Sequence, residues 1–330
     1  MTSLQDLLAS RRVLLADGAT GTNLFDAGLT AGDAPDLWNV DRPEAIKALY
    51  QSFVDAGADL ILTNTFGSTR QRLKLHGAQD RVFEINRRGA ELAREVADAA
   101  GRPVAVAGSM GPTGELFEPL GVLTDADAVE AFREQAEGLK AGGADVAWIE
   151  TMSAIDEIRA AALGAIAAGL PYTATASFDT AGRTMMGLSP ADLPTIFADL
   201  PQQPVAMGAN CGVGASDLLY SIVQMAEAHP GPILIAKANA GIPHFRGEHI
   251  HYSGTPELMA DYARLAADAG ARIIGGCCGT KPAHLVAMRR ALDGYTPGTR
   301  PDRSAIEAAI GPLVNPPSEA KARERRSRRG

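Results

Sequence analysis

One junction recurs along this chain and constrains its fold more than any other feature. DAGADLILTN (Asp55 to Asn64), AGGADVAWIET (Ala141 to Thr151) and DAGARIIGGC (Asp268 to Cys277) each close a helical pattern on glycine and enter an apolar run. Glycine at a helix C-cap followed by such a run is what a helix turning back into a buried strand requires. Similar runs predict eight strands, at Val13–Asp17, Leu60–Asn64, Val104–Gly108, Asp145–Glu150, Tyr172–Ser177, Val205–Asn210, Ile233–Lys237 and Arg272–Gly276. Helical patterns fill the intervals, most clearly over Pro43–Ala56, Asp80–Ala100, Asp125–Ala141, Ala154–Ala168, Ala215–Ala228, Pro256–Ala269 and Pro282–Leu292. Near-continuous apolar strands alternating with helices indicate a parallel sheet covered on its faces. Eight such units in about 290 residues fit a (β/α)8 TIM-type barrel better than a doubly wound sheet. No dinucleotide fingerprint follows the first strand, because the glycines of DGATGT (Asp17 to Thr22) have the wrong spacing.

Composition sets the environment. With 46% apolar and 5% aromatic residues the chain has ample core. Nothing approaches a membrane span, and Met1 to Arg12 has neither a long apolar stretch nor a cleavage site. A cytoplasmic setting is therefore expected, where thiols stay reduced and free to bind metal. A formal net charge of −8 argues against a nucleic-acid surface. From Pro312 the balance reverses, with Lys321, Arg323, Arg325, Arg326, Arg328 and Arg329 against Glu319 and Glu324, which leaves the body at −12. Residues 312–330 read as a basic disordered tail beyond a domain of residues 1–311, with docking of an acidic partner as the alternative. Homo-oligomerisation stays open.

Barrel chemistry gathers at the C-terminal ends of the strands. There the sequence places Asp17 and Gly18, Thr63, Ser109, Glu150, Asn210 and Cys211, Lys237 with Asn239, and Cys277 with Cys278. Taken singly, Asp17 reads as a turn former and Glu150 as a satisfied buried acid; together on one rim they read as a site.

The three cysteines of the chain all lie where a strand runs out into glycines: Cys211 in VAMGANCGVGAS, Cys277 and Cys278 in RIIGGCCGTKP. Three thiolates from two strand ends would form a three-ligand zinc site with its fourth position open, as catalytic zinc requires. Adjacent strand residues point to opposite faces, so Cys277 and Cys278 share a metal only by leaving strand geometry. Gly275, Gly276 and Gly279 supply that freedom. Buried inert thiols or a vicinal disulfide are the alternatives. Zinc already carrying three thiolates is a poor activator of water but suits binding a substrate thiol, whose pKa it lowers, and so suggests alkyl transfer to sulfur. None of the six histidines lies at a predicted strand end. His249 and His251 in GEHIHYSG form one pair, read as a loop cap or substrate contact rather than as metal ligands.

DGATGT (Asp17 to Thr22), TNTFG (Thr63 to Gly67), GSMGPTGE (Gly108 to Glu115), GANCGVG (Gly208 to Gly214) and GGCCGT (Gly275 to Thr280) resemble, in order, the zinc-dependent homocysteine S-methyltransferase family. The family includes betaine–homocysteine methyltransferase, S-methylmethionine-dependent enzymes and the homocysteine module of cobalamin-dependent methionine synthase. The resemblance, spanning roughly residues 10 to 295, implies a (β/α)8 barrel, one zinc, L-homocysteine as substrate and methionine as product. It implies Cys211, Cys277 and Cys278 as zinc ligands, and Asp17, Gly18 and Glu150 around the amino-acid end of homocysteine, with Thr63 and Ser109 beside them. Carboxylates would meet the ammonium, and backbone N–H groups near Gly18 the carboxylate.

The methyl donor is less sharply implied. Betaine, a quaternary ammonium, calls for an aromatic cage. The tyrosines that animal betaine enzymes carry after strands two and four correspond here to Gly67 and Thr151. Trp38, in the loop APDLWNVDRP, and Tyr252 are the donor-side candidates, together with Asn239, although a lone loop tryptophan is also an ordinary packing residue. The strand-seven segment KANAGIP (Lys237 to Pro243) resembles the methionine synthase module, in which the methyl group arrives on a cobalamin held by another domain. The favoured expectation is methylcobalamin on a partner protein, making this chain one component of a split methionine synthase. Direct use of betaine, use of S-methylmethionine, and a non-catalytic zinc-binding module are the alternatives.

Overall fold

The computed structural model describes residues 3–246 and 249–317. Its strands are β1 (Leu14–Leu15), β2 (Leu60–Leu62), β3 (Ala105–Met110), β4 (Val146–Met152), β5 (Tyr172–Ala176), β6 (Ala206–Cys211), β7 (Leu234–Ala238), β8 (Pro243–Arg246), β9 (His249–Tyr252) and β10 (Ala271–Gly276). Eight of them form one parallel sheet in the order β1-β10-β7-β6-β5-β4-β3-β2. A bridge between Ala16 and Leu60 joins the two edges and closes the barrel. Every predicted strand is present, and the seven helical patterns fold as Pro43–Asp55, Val82–Ala99, Asp125–Ala141, Ile155–Ala167, Ala215–Ala228, Pro256–Asp268 and Pro282–Leu292. Between β5 and β6 there is only the 3-10 turn Leu193–Phe197, in a segment interrupted by Pro190, Pro194, Pro201 and Pro204.

Alternation along each strand divides the side chains between two cores. Leu14, Leu60, Ala105, Val146, Trp148, Ala206, Ile235 and Ile273 fill the barrel interior, while their sequence neighbours pack outward against the helices. A feature not foreseen from the sequence seals the bottom. Helix Leu4–Ser10 inserts Leu4, Leu7 and Leu8 into the interior core, and its start is fixed by a capping box between Ser3 and Asp6. A second unforeseen feature is the antiparallel hairpin β8–β9, which lies between β7 and the helix that follows it and ends on Tyr252 at the barrel mouth. The side chains of His249 and His251 lie outside the described residues.

The boundary at residue 311 is not a break in packing. Leu313 is buried, the backbone N–H groups of Val314 and Asn315 each donate to the Asp217 carboxylate at 2.9 Å, and Asn315 reaches the Asp179 carbonyl. These contacts run to Asn315, and the six cations of the expected tail lie outside the described residues. Among the described residues no helix is long and apolar enough to cross a membrane.

Leu7 is 2% exposed at the barrel bottom. Leu7→Ala should cost about 2–5 kcal/mol by lost burial and residual cavity. Urea unfolding checks this; a cost under about 1 kcal/mol would show that the helix is not part of the cooperative core.

Candidate active site and metal centre

The parity that fills the lower barrel with apolar side chains turns polar near the top. Above Ala105 and Ala107 the interior column of β3 reaches Ser109; above Trp148 it reaches Glu150, and above Ile235 it reaches Lys237. A register shift between β4 and β5 at Ile149–Met152, with Thr151 at φ 62°, marks a bulge in β4 at Glu150 and Thr151.

The three cysteines meet at this level, their Sγ atoms all within 4.8 Å of one another and those of Cys211 and Cys278 4.0 Å apart. Cys211 ends β6 at φ 59°, a left-handed conformation uncommon outside glycine and characteristic of functional sites. β10 stops at Gly276, and Cys277 to Thr280 form a turn closed by a 3.1 Å hydrogen bond from the Thr280 N–H to the Cys277 carbonyl. That turn breaks the alternation that would have sent the adjacent thiols to opposite faces. Gly279 is required in it twice over, since its φ is 77° and a Cβ would lie 2.2 Å from the Tyr252 ring. The turn is held to the chain continuing from β7 by Cys277 N–H to the Ala238 carbonyl (2.7 Å) and Ala240 N–H to the Cys278 carbonyl (2.9 Å).

Thiols this close cannot all ionise unaided. Hydrogen bonds with Cys277 and Cys278, then burial, push the Cys211 thiol far up. Cys277, although its contact with Cys211 favours the thiolate, is pushed up to about 12 by Cys278 and by burial. Hydrogen bonds from Cys211 and Cys277 bring Cys278 down to about 3. The cluster thus accommodates one negative charge, and three thiolates require a cation among them. Its donor set and its open side fit tetrahedral zinc with one exchangeable position.

Above the thiols a cavity of about 480 Å³ opens to the barrel mouth. The three cysteines, Glu150, Lys237 and Ser109 line its inner part. Ser109 donates to Glu150 Oε1 at 2.5 Å, while Oε2 meets only a long 3.5 Å approach from Asn210 Nδ2. Asn210 fixes the bulge instead, accepting from the Thr151 N–H (2.8 Å) and donating to the Thr151 hydroxyl (2.8 Å). Burial raises the Glu150 carboxyl to about 7, against the pull of Lys237. Thr63 lines the cavity and accepts the Ser109 N–H at 3.0 Å.

Of the sequence-predicted residues, the three cysteines, Gly18, Thr63, Ser109, Glu150 and Tyr252 line this one cavity. Asp17 does not: it is fully buried beneath, with Oδ1 on Lys237 Nζ (2.5 Å) and Oδ2 on the Leu62 N–H (2.7 Å). Trp38 faces the outer core at 7% exposure, with the Arg42 guanidinium 4.2 Å from its ring centroid. Asn239 donates to the Gly212 carbonyl at 2.7 Å and so braces the loop after Cys211. Sequence reading noted Lys237 and Asn210 as strand-end residues without giving them a role, and overlooked Phe25 and Phe66, which line the outer cavity. A lysine two positions after Ile235 in an apolar strand was the available signal. Phe66 lies one residue before Gly67, where an aromatic was sought.

This barrel, with its cysteine trio and acid at the mouth, has close counterparts. The family model described as homocysteine S-methyltransferase matches residues 14–292, and the chain belongs to that family of methyl-transferring enzymes. It is similar to methionine synthase of Mycobacterium tuberculosis, at 31% identity over 94% of this chain and 27% of the relative. Methionine synthase of Mycobacterium leprae is 31% identical over 100% of this chain and 29% of the relative. The chain thus spans under a third of the length of these curated relatives. Among solved structures, the homocysteine methyltransferase MmuM from Escherichia coli in its metallated form superposes at TM-score 0.72 with 27% identity, over 87% of this chain and 99% of that one. Its oxidized form gives 0.73 at the same identity, over 87% and 98%.

Because the Glu150 carboxyl keeps its proton up to about 7, against an ordinary 4.5, folding favours its acid form. That stability is fully present below pH 4.5 and lost as pH rises through 7, an effect of up to about 3 kcal/mol. Glu150→Gln, a shape mimic of the neutral acid, should escape the loss. Urea melts of chelator-treated protein should place the two together near pH 5 and the variant ahead by pH 8; parallel curves would show that Glu150 does not titrate in this window.

Proposed function

We propose that the chain is a zinc-dependent homocysteine S-methyltransferase that forms methionine, receiving its methyl group from methylcobalamin carried by a partner protein or domain. The observation that carries this reading is the convergence of Cys211, Cys277 and Cys278 with Glu150 in one cavity of the barrel mouth. Cys211, Cys277 and Cys278 would hold the metal, which when bound supplies a lowered pKa for a substrate thiol and keeps that sulfur nucleophilic. Glu150, oriented by Ser109, offers its under-used Oε2 to the substrate ammonium. Gly18 in the cavity wall lets backbone approach the amino-acid end.

A donor carried elsewhere agrees with the similarity to methionine synthases of which this chain matches under a third. A second reading, direct use of a small cationic donor such as betaine or S-methylmethionine, draws on the aromatic residues Phe25, Phe66 and Tyr252 that line the cavity. Methionine formation by zinc-loaded protein separates the two when homocysteine is supplied with betaine, S-methylmethionine or free methylcobalamin in turn. Turnover from methylcobalamin alone supports the first reading; efficient turnover from betaine or S-methylmethionine replaces it with the second.

Cys211→Ala and Cys278→Ala should each lose bound zinc and methyl transfer together, as metal analysis and the same assay will record. Full zinc content with full activity in either variant would remove that residue from the metal site.

A further inference from the structure

Lys237 has no role in the reading above, yet it is placed for one. It continues the interior column of β7 above Ile235, its side chain is 2% exposed, and it lines the cavity beside Glu150 and Cys277. A lysine ammonium has three N–H donors, and among the described residues the one hydrogen-bond acceptor for this lysine is Asp17 Oδ1 at 2.5 Å. The Trp148 ring lies 5.9 Å from Nζ and offers a π face but no lone pair. Two donors of a fully buried cation are therefore left over at the cavity floor. Asp17 cannot turn toward a ligand without giving up Lys237 or the Leu62 N–H. The carboxylates of Asp17 and Glu150 outweigh the burial that would otherwise discharge the lysine. The inner cavity thus presents one buried cation and, in Glu150 Oε2, one under-used carboxyl oxygen, both beside the thiol cluster.

We propose that Lys237 binds the α-carboxylate of the substrate amino acid, with Asp17 as the positioning residue that holds Lys237 charged and aimed. This rests on the homocysteine reading and deepens it. Recognition becomes three-pointed: sulfur at the cysteine trio, ammonium at Glu150, and carboxylate at Lys237 in addition to the backbone N–H groups near Gly18 that the family resemblance implies. Asp17 then acts through Lys237 and does not itself touch the ammonium. Because buried donors left without a partner are costly, the site rejects a thiol that lacks the carboxylate.

The test compares calorimetric binding of homocysteine and of homocysteamine, its decarboxylated analogue, to zinc-loaded full-length protein. No methyl donor is needed. Wild type should prefer homocysteine on the order of 100-fold. Lys237→Met should bind the two thiols within a few fold of each other, with homocysteamine affinity and zinc content at wild-type levels. Lys237→Met leaves Asp17 buried and unpaired, so Lys237→Met/Asp17→Asn, which removes both charges, is measured alongside and should show the same collapse of preference. Preference persisting in a folded variant, or a parallel loss of both affinities or of zinc, would make Lys237 a structural counter-ion and overturn the assignment. Wild type that binds neither thiol overturns the homocysteine reading itself, an outcome distinct from the others.

Discussion

The closed parallel sheet is the constraint from which the rest follows. Closure through the Ala16–Leu60 bridge obliges each strand to send alternate side chains into a space too narrow for water. A polar group entering that space is costly unless it is paired or sits at an open end, and Trp148 Nε1 and Thr173 Oγ1 are buried there without a partner among the described residues. Trp148 and the leucines of the first helix fill the lower volume, so polar groups collect at the top. The Asp17–Lys237 pair marks the boundary at the upper end of the barrel, with Lys237 reaching the cavity floor and Asp17 buried beneath it. A pair so buried is weak support for stability, because desolvation offsets most of the attraction. Its value lies in presenting a fixed charge to a ligand.

Backbone strain is concentrated at the same level. Cys211 and Thr151, two of the three non-glycine residues with positive φ among the described residues, are linked through Asn210, whose neighbour is Cys211 and whose side chain holds the Thr151 N–H. Each such conformation costs of order 1–3 kcal/mol, which the surrounding hydrogen bonds must offset. Ser177 adds one more restraint, donating to the Asn210 carbonyl at 2.9 Å. A metal ligand and a substrate acid on different strands are thereby kept in a fixed relation by backbone geometry and not by side-chain contact alone.

Much of this was legible in the sequence because it is written in local patterns. Three glycine-to-strand junctions and the similar apolar runs between helical patterns place the strands of the barrel, and the glycines around Cys277 and Cys278 allow the turn that brings adjacent thiols together. What failed to show depends on tertiary packing. Trp38 sits in a loop-like stretch that folds as a short helix with its ring turned inward, a direction no local pattern specifies. Asp17 lies at the expected strand end, but its partner is 220 residues away. Leu4 and Leu7 carry no local signal of their role, since only a barrel with an open bottom gives them something to plug.

The placement of the first and last described segments has a consequence for assembly. Helix Leu4–Ser10 sits at the floor of the barrel, whereas the segment ending at Pro317 runs past Asp217 and Asp179, both on the face where the strands end. A module attached after Pro317 would start its search on the same side as the cavity. A flexible tether of n residues carries a module about 5–6 Å × √n from its anchor, so even a short one keeps it near the opening. A module attached ahead of the first helix would have to pass around the outer ring of helices before reaching the sulfur. In this fold the order in which modules are strung together decides which of them can work at the mouth.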